Sequence, residues 1–516
     1  MQATVFSPMT FNYFSSYSYD NDLDDLFLIR GLLLVIAQLL LLPIFGWLAD
    51  VHFGRYRVMN TGIWIMWVCS VAGVVAMIVQ YLFPETAYVI HYIIDLLYFI
   101  AYSGCAAFMV TGVPFGTDQI LDGSADEISA FVFWCISTYS AGGWFAYALY
   151  TSVFDCGGLN RTTGNMLMFL SSVVLLSLAL CCDFLCQDCL VIEPKSCNPL
   201  KTVLTVVRYA ASQKHPARRS ALTYWEEKIP SRIDLGKSKY GGPFTNEEVD
   251  VKTFLHILAV AVCINITIGV VGAVSSFTVL NHISHFRLPS SAHHSHCLIA
   301  FITAGYNWML VGTLSIVFYE FVVYPFARKW IPSILRRAGI AAASQIILEI
   351  LLLILETVGH AQERVGCMFT QEKMDVLNIS YLNISYLWVY IPITTLSGLQ
   401  YALFFTTVTE FIVAQSPYGM KGLLIGSMWS LSVISLAIGT AVNLPWTYGW
   451  KSPFSSPSCG TYYYLFVTLL SVAGLVLYIA VARWYKRRER DEPENQQAIV
   501  EDVYDRYIQQ ESDFPS

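Results

Sequence analysis

The sequence predicts an all-α, multi-pass membrane protein with about eleven transmembrane helices in two bundles. The first observation is compositional. Only 13% of the 516 residues are charged, while 55% are hydrophobic and 15% aromatic, and the mean hydropathy is +0.53. Soluble chains carry roughly 25% charged residues, so this one lacks the polar surface to cover soluble domains. The second is a series of apolar runs near the ~20 residues that one bilayer crossing requires. The third is an alternation of basic residues from one inter-run segment to the next.

The elements follow in order. Residues 1–29 form an N-terminal segment outside the cytoplasm. Its acids (Asp20, Asp22, Asp24 and Asp25) replace the basic start of a cleaved targeting peptide. The first bundle, 30–182, holds five helices near 31–50, 58–82, 88–113, 130–151 and 164–182. A cytoplasmic loop over 183–252 follows, polar and basic, with a short amphipathic helix near 199–212. The second bundle, 253–484, holds six helices near 254–280, 298–325, 339–358, 387–414, 422–444 and 461–484. The tail from 485 to 516 is cytoplasmic and opens on the basic run Lys486 to Arg490, which anionic lipid attracts.

With the 51–57 turn inside, the outer segments hold only Arg30, Arg161, Arg287, Arg364, Lys373 and Lys451 of the 30 Lys and Arg. That distribution sets the orientation. Three N-x-[ST] signals, at Asn160, Asn378 and Asn383, fall in the outer loops and predict glycosylation. A fourth, at Asn265, falls inside a helix beyond reach.

The net charge of −7 excludes a nucleic-acid binder, which needs a basic face. Enzyme signatures fail as well. Gly236-Lys237-Ser238 ends like a phosphate loop, but Ser231 stands where the first glycine belongs. No cofactor and no metal ion is expected. Among intramembrane ionisable residues, functional candidates by default, are Asp95, His256, Glu320, Glu349, Glu356 and Glu410. Glu320 is expected to pair with Arg328, and Glu410 with Lys421 at an inner gate. Glu349 has no evident partner. Trp134, Tyr139, Tyr147 and Tyr401 offer aromatic faces with polar tips, suited either to an amphipathic solute or to ordinary helix packing. His282, His285, His293, His294 and His296 crowd one outer loop, either as a pH-sensitive or metal-binding patch or as plain polar residues. Cys181, Cys182, Cys186, Cys189 and Cys197 cluster at a membrane boundary, as acylation sites or inert thiols. Cys156, Cys297, Cys367 and Cys459 lie outside, with any pairing unreadable.

Four segments resemble the proton-dependent oligopeptide transporter family of the major facilitator superfamily. GWLADVHFGRYR carries Gly46, Asp50, Gly54 and Arg55, and is similar to the superfamily turn G-x-x-A-D-x-x-x-G-[RK]. FGTDQ carries Phe115, Gly116, Asp118 and Gln119, and resembles the family's FG-[AG]-DQ signature. EFIVAQSPYGMKG carries Glu410, Pro417 and Lys421, and resembles the family's ending of its tenth helix. Tyr240 to Leu258 looks like the peptide/histidine branch entering its seventh helix.

The resemblance implies a major-facilitator-type fold and alternating access. It implies symport of a di- or tripeptide or histidine with protons, in a plasma or endolysosomal membrane. Departures are equally plain. The E-x-x-E-R-[FY] motif of the family's first helix is absent from 1–29, so the chain starts just after that point and its first bundle is one helix short. Met109 stands where the family has a lysine, and Tyr401 where it has a substrate-facing glutamate. These losses leave a zwitterionic peptide without counter-charges. They open an alternative: a relative that does not transport and acts as a receptor or scaffold through its loop and tail.

Overall fold

The computed structural model describes residues 24–120, 124–151, 161–190, 199–212, 251–272, 307–362, 379–417, 419–444 and 461–485, with a few positions between 232 and 244. Asn160, Asn378, the five loop histidines, Cys156, Cys197, Cys297, Cys367, Cys459 and the tail lie outside them.

Among the described residues are twelve principal helices. The first five are α1 (Asp24–Leu48), α2 (Arg55–Leu82), α3 (Ala87–Asp118), α4 (Ala125–Thr151) and α5 (Arg161–Cys186). The amphipathic α6 (Pro199–Ser212) falls where the sequence placed it. Six more follow: α7 (Val251–Ile264), α8 (Asn307–Phe318), α9 (Ile334–Gln362), α10 (Ile379–Gln415), α11 (Lys421–Leu444) and α12 (Thr461–Trp484). Five-residue π-turns extend α1 (Ala49–Phe53), α7 (Asn265–Gly269) and α8 (Tyr319–Val323).

α4 begins earlier than its apolar run because polar residues cap it. At α4 the Glu127 amide donates to Ser124 Oγ (3.3 Å) and the Ser124 amide to Glu127 Oε2 (3.2 Å), a reciprocal capping box. The early start of α10 puts Asn383 in its first turns rather than in a loop; its side chain lies outside the described residues.

Ten of the described helices are long and apolar enough to cross a membrane. The eleventh expected span, α4, is a 27-residue helix but more polar. It carries Ser137, Thr138, Ser140 and Trp144 along its length, and Ser140 and Trp144 join it to α8. Ser140 Oγ and Thr313 Oγ1 share a hydrogen bond of 2.8 Å, and Trp144 Nε1 donates to Asn307 Oδ1 at 3.2 Å.

In the first five helices α2 packs on α3 and α5, and α1 on α3. In the last six, α10 packs on α8 and α9, and α9 on α12. Two seams join the sets, α1 with α11 and α4 with α8. The first is close-packed through small residues at a four-residue spacing on α11. A Cβ on Gly426 would lie 2.5 Å from the Leu42 carbonyl oxygen, and one on Gly46 would lie 2.3 Å from that of Gly422. Only glycine permits such an approach between membrane helices. One turn further, Ser430 Oγ donates to the Leu39 carbonyl at 3.2 Å.

The π-turn of α7 is held by α11. Ser435 Oγ donates to the Asn265 carbonyl and Ser432 Oγ to Asn265 Oδ1, both at 2.9 Å. Asn265 is buried, as a sequon inside a helix must be.

Candidate functional site

One site gathers charges where α1, α3 and α11 meet. The π-turn ends α1 at Gly54, whose φ of +86° with ψ of 148° is a conformation only glycine adopts readily. The turn brings Asp50 and Arg55 together, with Arg55 Nε donating to Asp50 Oδ1 at 2.9 Å. Asp50, buried, also accepts the Leu423 amide on Oδ2 at 3.0 Å, capping the start of α11. A carboxylate there complements the positive end of the helix dipole. Gly422 leaves it room, since a Cβ would lie 2.9 Å from Asp50 Oδ1.

Arg55 reaches further, pairing through Nη1 with Asp118 at the end of α3. Lys421 Nζ closes the chain on the other oxygen of Asp118, at 3.2 Å. Two acids and two bases thus form a neutral, nearly dry cluster, with Asp50 and Asp118 side chains 0% and 2% exposed. Three motifs far apart in sequence meet in it. Phe115 lies beside the Tyr56 ring at 5.6 Å, and the Phe131 ring fills the space against Gly116. Gln119 ends α3, its amide donating to the Gly116 carbonyl. Pro417 opens the turn before α11, its carbonyl accepting from the Met420 amide at 3.3 Å, with Gly419 at φ +73°.

A second pair is buried nearby within the last six helices. Arg337 Nη2 of α9 donates to Glu410 Oε1 of α10 at 2.9 Å, and its guanidinium lies over the Phe133 ring of α4 at 5.7 Å. Glu410 therefore pairs with Arg337, not with the expected Lys421. Along α10 its side chain points toward α9, whereas Lys421 starts the next helix beyond a turn. Among the described residues Glu410 Oε2 and Arg337 Nε have no hydrogen-bond partner. Glu320, half-buried in the α8 π-turn, does not meet Arg328; Arg328 pairs with Asp126 at the start of α4. Glu349 is buried and has a partner after all, accepting from Gln345 Nε2 at 2.6 Å one turn back on α9.

The third feature is a row of rings across the middle. Tyr139 of α4 lies 5.8 Å from Trp429 of α11, and Trp429 stacks on Phe405 of α10 at 5.5 Å. Phe405 meets Tyr401 at 4.6 Å, and Tyr401 meets Trp308 of α8 edge-on at 4.8 Å. The Tyr401 hydroxyl is buried and has no partner among the described residues. Of the other expected pocket residues, Trp134 is exposed against Phe321, on the outer side of the α4–α8 seam. Tyr147 is half-buried on α4. Met109 packs on the cluster of Ile63, Met66, Cys105 and Leu176, among α2, α3 and α5. Asp95 is half-buried near the start of α3, His256 packs edge-on against Trp484, and the Glu356 side chain lies outside the described residues. Cys181, Cys182, Cys186 and Cys189 are free and exposed at the end of α5, and no metal-holding cluster occurs among the described residues.

Sequence reading missed Arg337, Trp308, Phe405 and Trp429. Arg337 reads as a topology charge, and the three rings as ordinary apolar residues.

Such a bundle, with two seams and a charged end, is an all-α, multi-pass membrane fold, and its likeness to solved structures makes that fold major-facilitator-like. Its fold is that of an auto-inhibited POT family peptide transporter, with TM-score 0.58, 17% identity, and coverage of 89% of this chain and 88% of that one. It is also that of the POT family transporter PepTSo, at 0.56, 16%, and 88% of both chains. The major facilitator superfamily proton:xylose symporter XylE matches at 0.50 and 13%, over 86% of this chain and 84% of its own. In sequence, Protein NRT1/PTR FAMILY 6.2 of Arabidopsis thaliana is 25% identical over 224 residues, which is 40% of this chain. The match spans about a third (34%) of that relative's length. No family model matches the chain.

Proposed function

We propose that this chain is a secondary transporter for a small organic solute, working by alternating access between a bundle of α1–α5 and a bundle of α7–α12. The observation that carries the reading is the four-ion cluster. It links the first set of helices to the second through Asp118–Lys421 and through Asp50 on the start of α11. A buried, neutral network at a seam is a latch. Intact, it holds that end shut; parted, it leaves four charges that only water can satisfy, so the open state needs an open aqueous path. By the distribution of basic residues this end faces the cytoplasm.

The Arg337–Glu410 pair is our candidate for proton coupling. Protonating Glu410 removes the charge that holds Arg337, and Glu320 on the adjoining α8 turn offers a second acid. Transport of a small organic solute with protons is favoured by the peptide-transporter neighbours, and their shared fold favours transport over a receptor or scaffold role. Asn160 and Asn378 remain proposed glycosylation sites on the outer side of a plasma or endolysosomal membrane.

The test is solute uptake into proteoliposomes with and without an inward proton gradient. Gradient-driven accumulation is expected, together with loss of the gradient effect in Glu410→Gln. Uptake indifferent to the gradient in the native chain overturns the coupling, and no uptake of any small solute overturns the transport reading.

A further inference from the structure

The helices that meet along the two seams carry no charge through their middles. Residues 31–49 of α1, 96–117 of α3, 128–151 of α4, 257–272 around α7, 307–319 of α8, 379–409 of α10 and 422–444 of α11 contain no Asp, Glu, Lys, Arg or His. Glu349, the acid nearest mid-span, is on α9, which packs on α10 and α12 and holds it beside Gln345. Among the described residues the charges that do face the seams stand at one end: Asp50, Arg55, Asp118, Lys421, and the Arg337–Glu410 and Arg328–Asp126 pairs.

A solute seated at mid-membrane therefore meets rings, hydroxyls and backbone. The break between the two sets of helices falls in the ring row, between Tyr139 of α4 and Trp429 of α11. Beyond it, Trp429, Phe405, Tyr401 and Trp308 make one continuous wall. An ionised carboxylate entering here gives up its water and finds no cation among the described residues in return, which is expensive in a dry site. An uncharged solute escapes that penalty and gains ring contacts. One polar group is left over. The Tyr401 hydroxyl sits in this wall, on a residue 7% exposed, with no partner among the described residues. Two turns along α10 the buried Thr409 hydroxyl is in the same state. Buried donors without acceptors are unfavourable, and a carbonyl supplied by a ligand relieves them.

Resting on the transport reading, we propose that this site takes an uncharged, ring-bearing amide. The Tyr401 hydroxyl donates to its carbonyl, the wall of Trp308, Phe405 and Trp429 holds its ring, and free carboxylates are rejected. The substrate class is then a neutral amide, not the zwitterion that a free dipeptide or histidine presents.

The test keeps one ring and changes only the charge. Binding of N-acetyltryptophanamide (neutral), N-acetyltryptophan (anion), tryptophan (zwitterion) and tryptamine (cation) is measured on the purified full chain by displacement of the labelled amide. The neutral amide is expected to bind at least tenfold more tightly than the anion and the zwitterion. Tyr401→Phe is expected to weaken it about three- to tenfold, the value of one hydrogen bond. Its melting temperature is expected to hold, because the hydroxyl it removes bonds no described group of the protein. Anion or zwitterion binding within about twofold of the amide, tighter binding of tryptamine, or no binding by any of the four overturns the proposal. Exchange of the amide across proteoliposomes separates this result from the transport reading. Binding without exchange supports the solute class and counts against transport, whereas exchange of tryptophan as fast as the amide refutes the class and leaves transport standing.

Discussion

The charge cluster and the central ring row share only α11 and are built on opposite terms. The cluster concentrates two acids and two bases where α1, α3 and α11 meet, each tied to another. The row holds no ions, and it leaves a hydroxyl unused in Tyr401. Charge at the end and none in the middle divides two tasks. A network that gains from being complete makes a latch with two states. A surface with a spare donor makes a binding wall.

The contrast is most easily broken at the cluster. Asp118→Ala removes the acid shared by Arg55 and Lys421 and strands buried positive charge. It is expected to cost about 3–5 kcal/mol, read as a large fall in melting temperature in detergent. A fall no greater than that of an exposed surface substitution contradicts the latch. Next comes the α1–α11 seam. Gly426→Ala forces a Cβ against the Leu42 carbonyl, at a cost of about 1–3 kcal/mol, and a stability equal to the native chain means the helices do not approach as described. The Arg337–Glu410 pair should show a coupling of about 0.5–3 kcal/mol in a double-mutant cycle of Arg337→Gln and Glu410→Gln. Additive effects deny the pair. The smallest effect belongs to the row: Tyr401→Phe should leave stability within about 0.5 kcal/mol while weakening solute binding.

Much of the fold was legible in the sequence because each bilayer crossing leaves its own apolar run, and every run expected has its helix. α4 shows the limit of that signal. Its serines and threonines read as polar until α8 is beside them, with Ser140 and Thr313 accounting for each other. The members of the cluster were legible too, through the motifs around Asp50, Asp118 and Lys421. Their pairing was not. Asp50 caps a helix whose partner amide is 373 residues away, and Lys421 meets an acid 303 residues away. Reading along the chain matched Glu410 with Lys421 and Glu320 with Arg328, because closeness in sequence was the guide. In the fold, the partner of Glu410 is 73 residues off and that of Arg328 is 202. Side-chain direction around a helix chooses partners, and only neighbouring helices reveal it.

The central claim is that the four-ion cluster holds one end of the two bundles together. Spin labels at the exposed Phe53 and Lys329 positions report the separation of the bundles at that end. The distance distribution would be measured in lipid for the otherwise native protein and for Lys421→Gln. The account predicts a native population dominated by the short distance and a variant population shifted to a longer one. Identical distributions in the two proteins would contradict it.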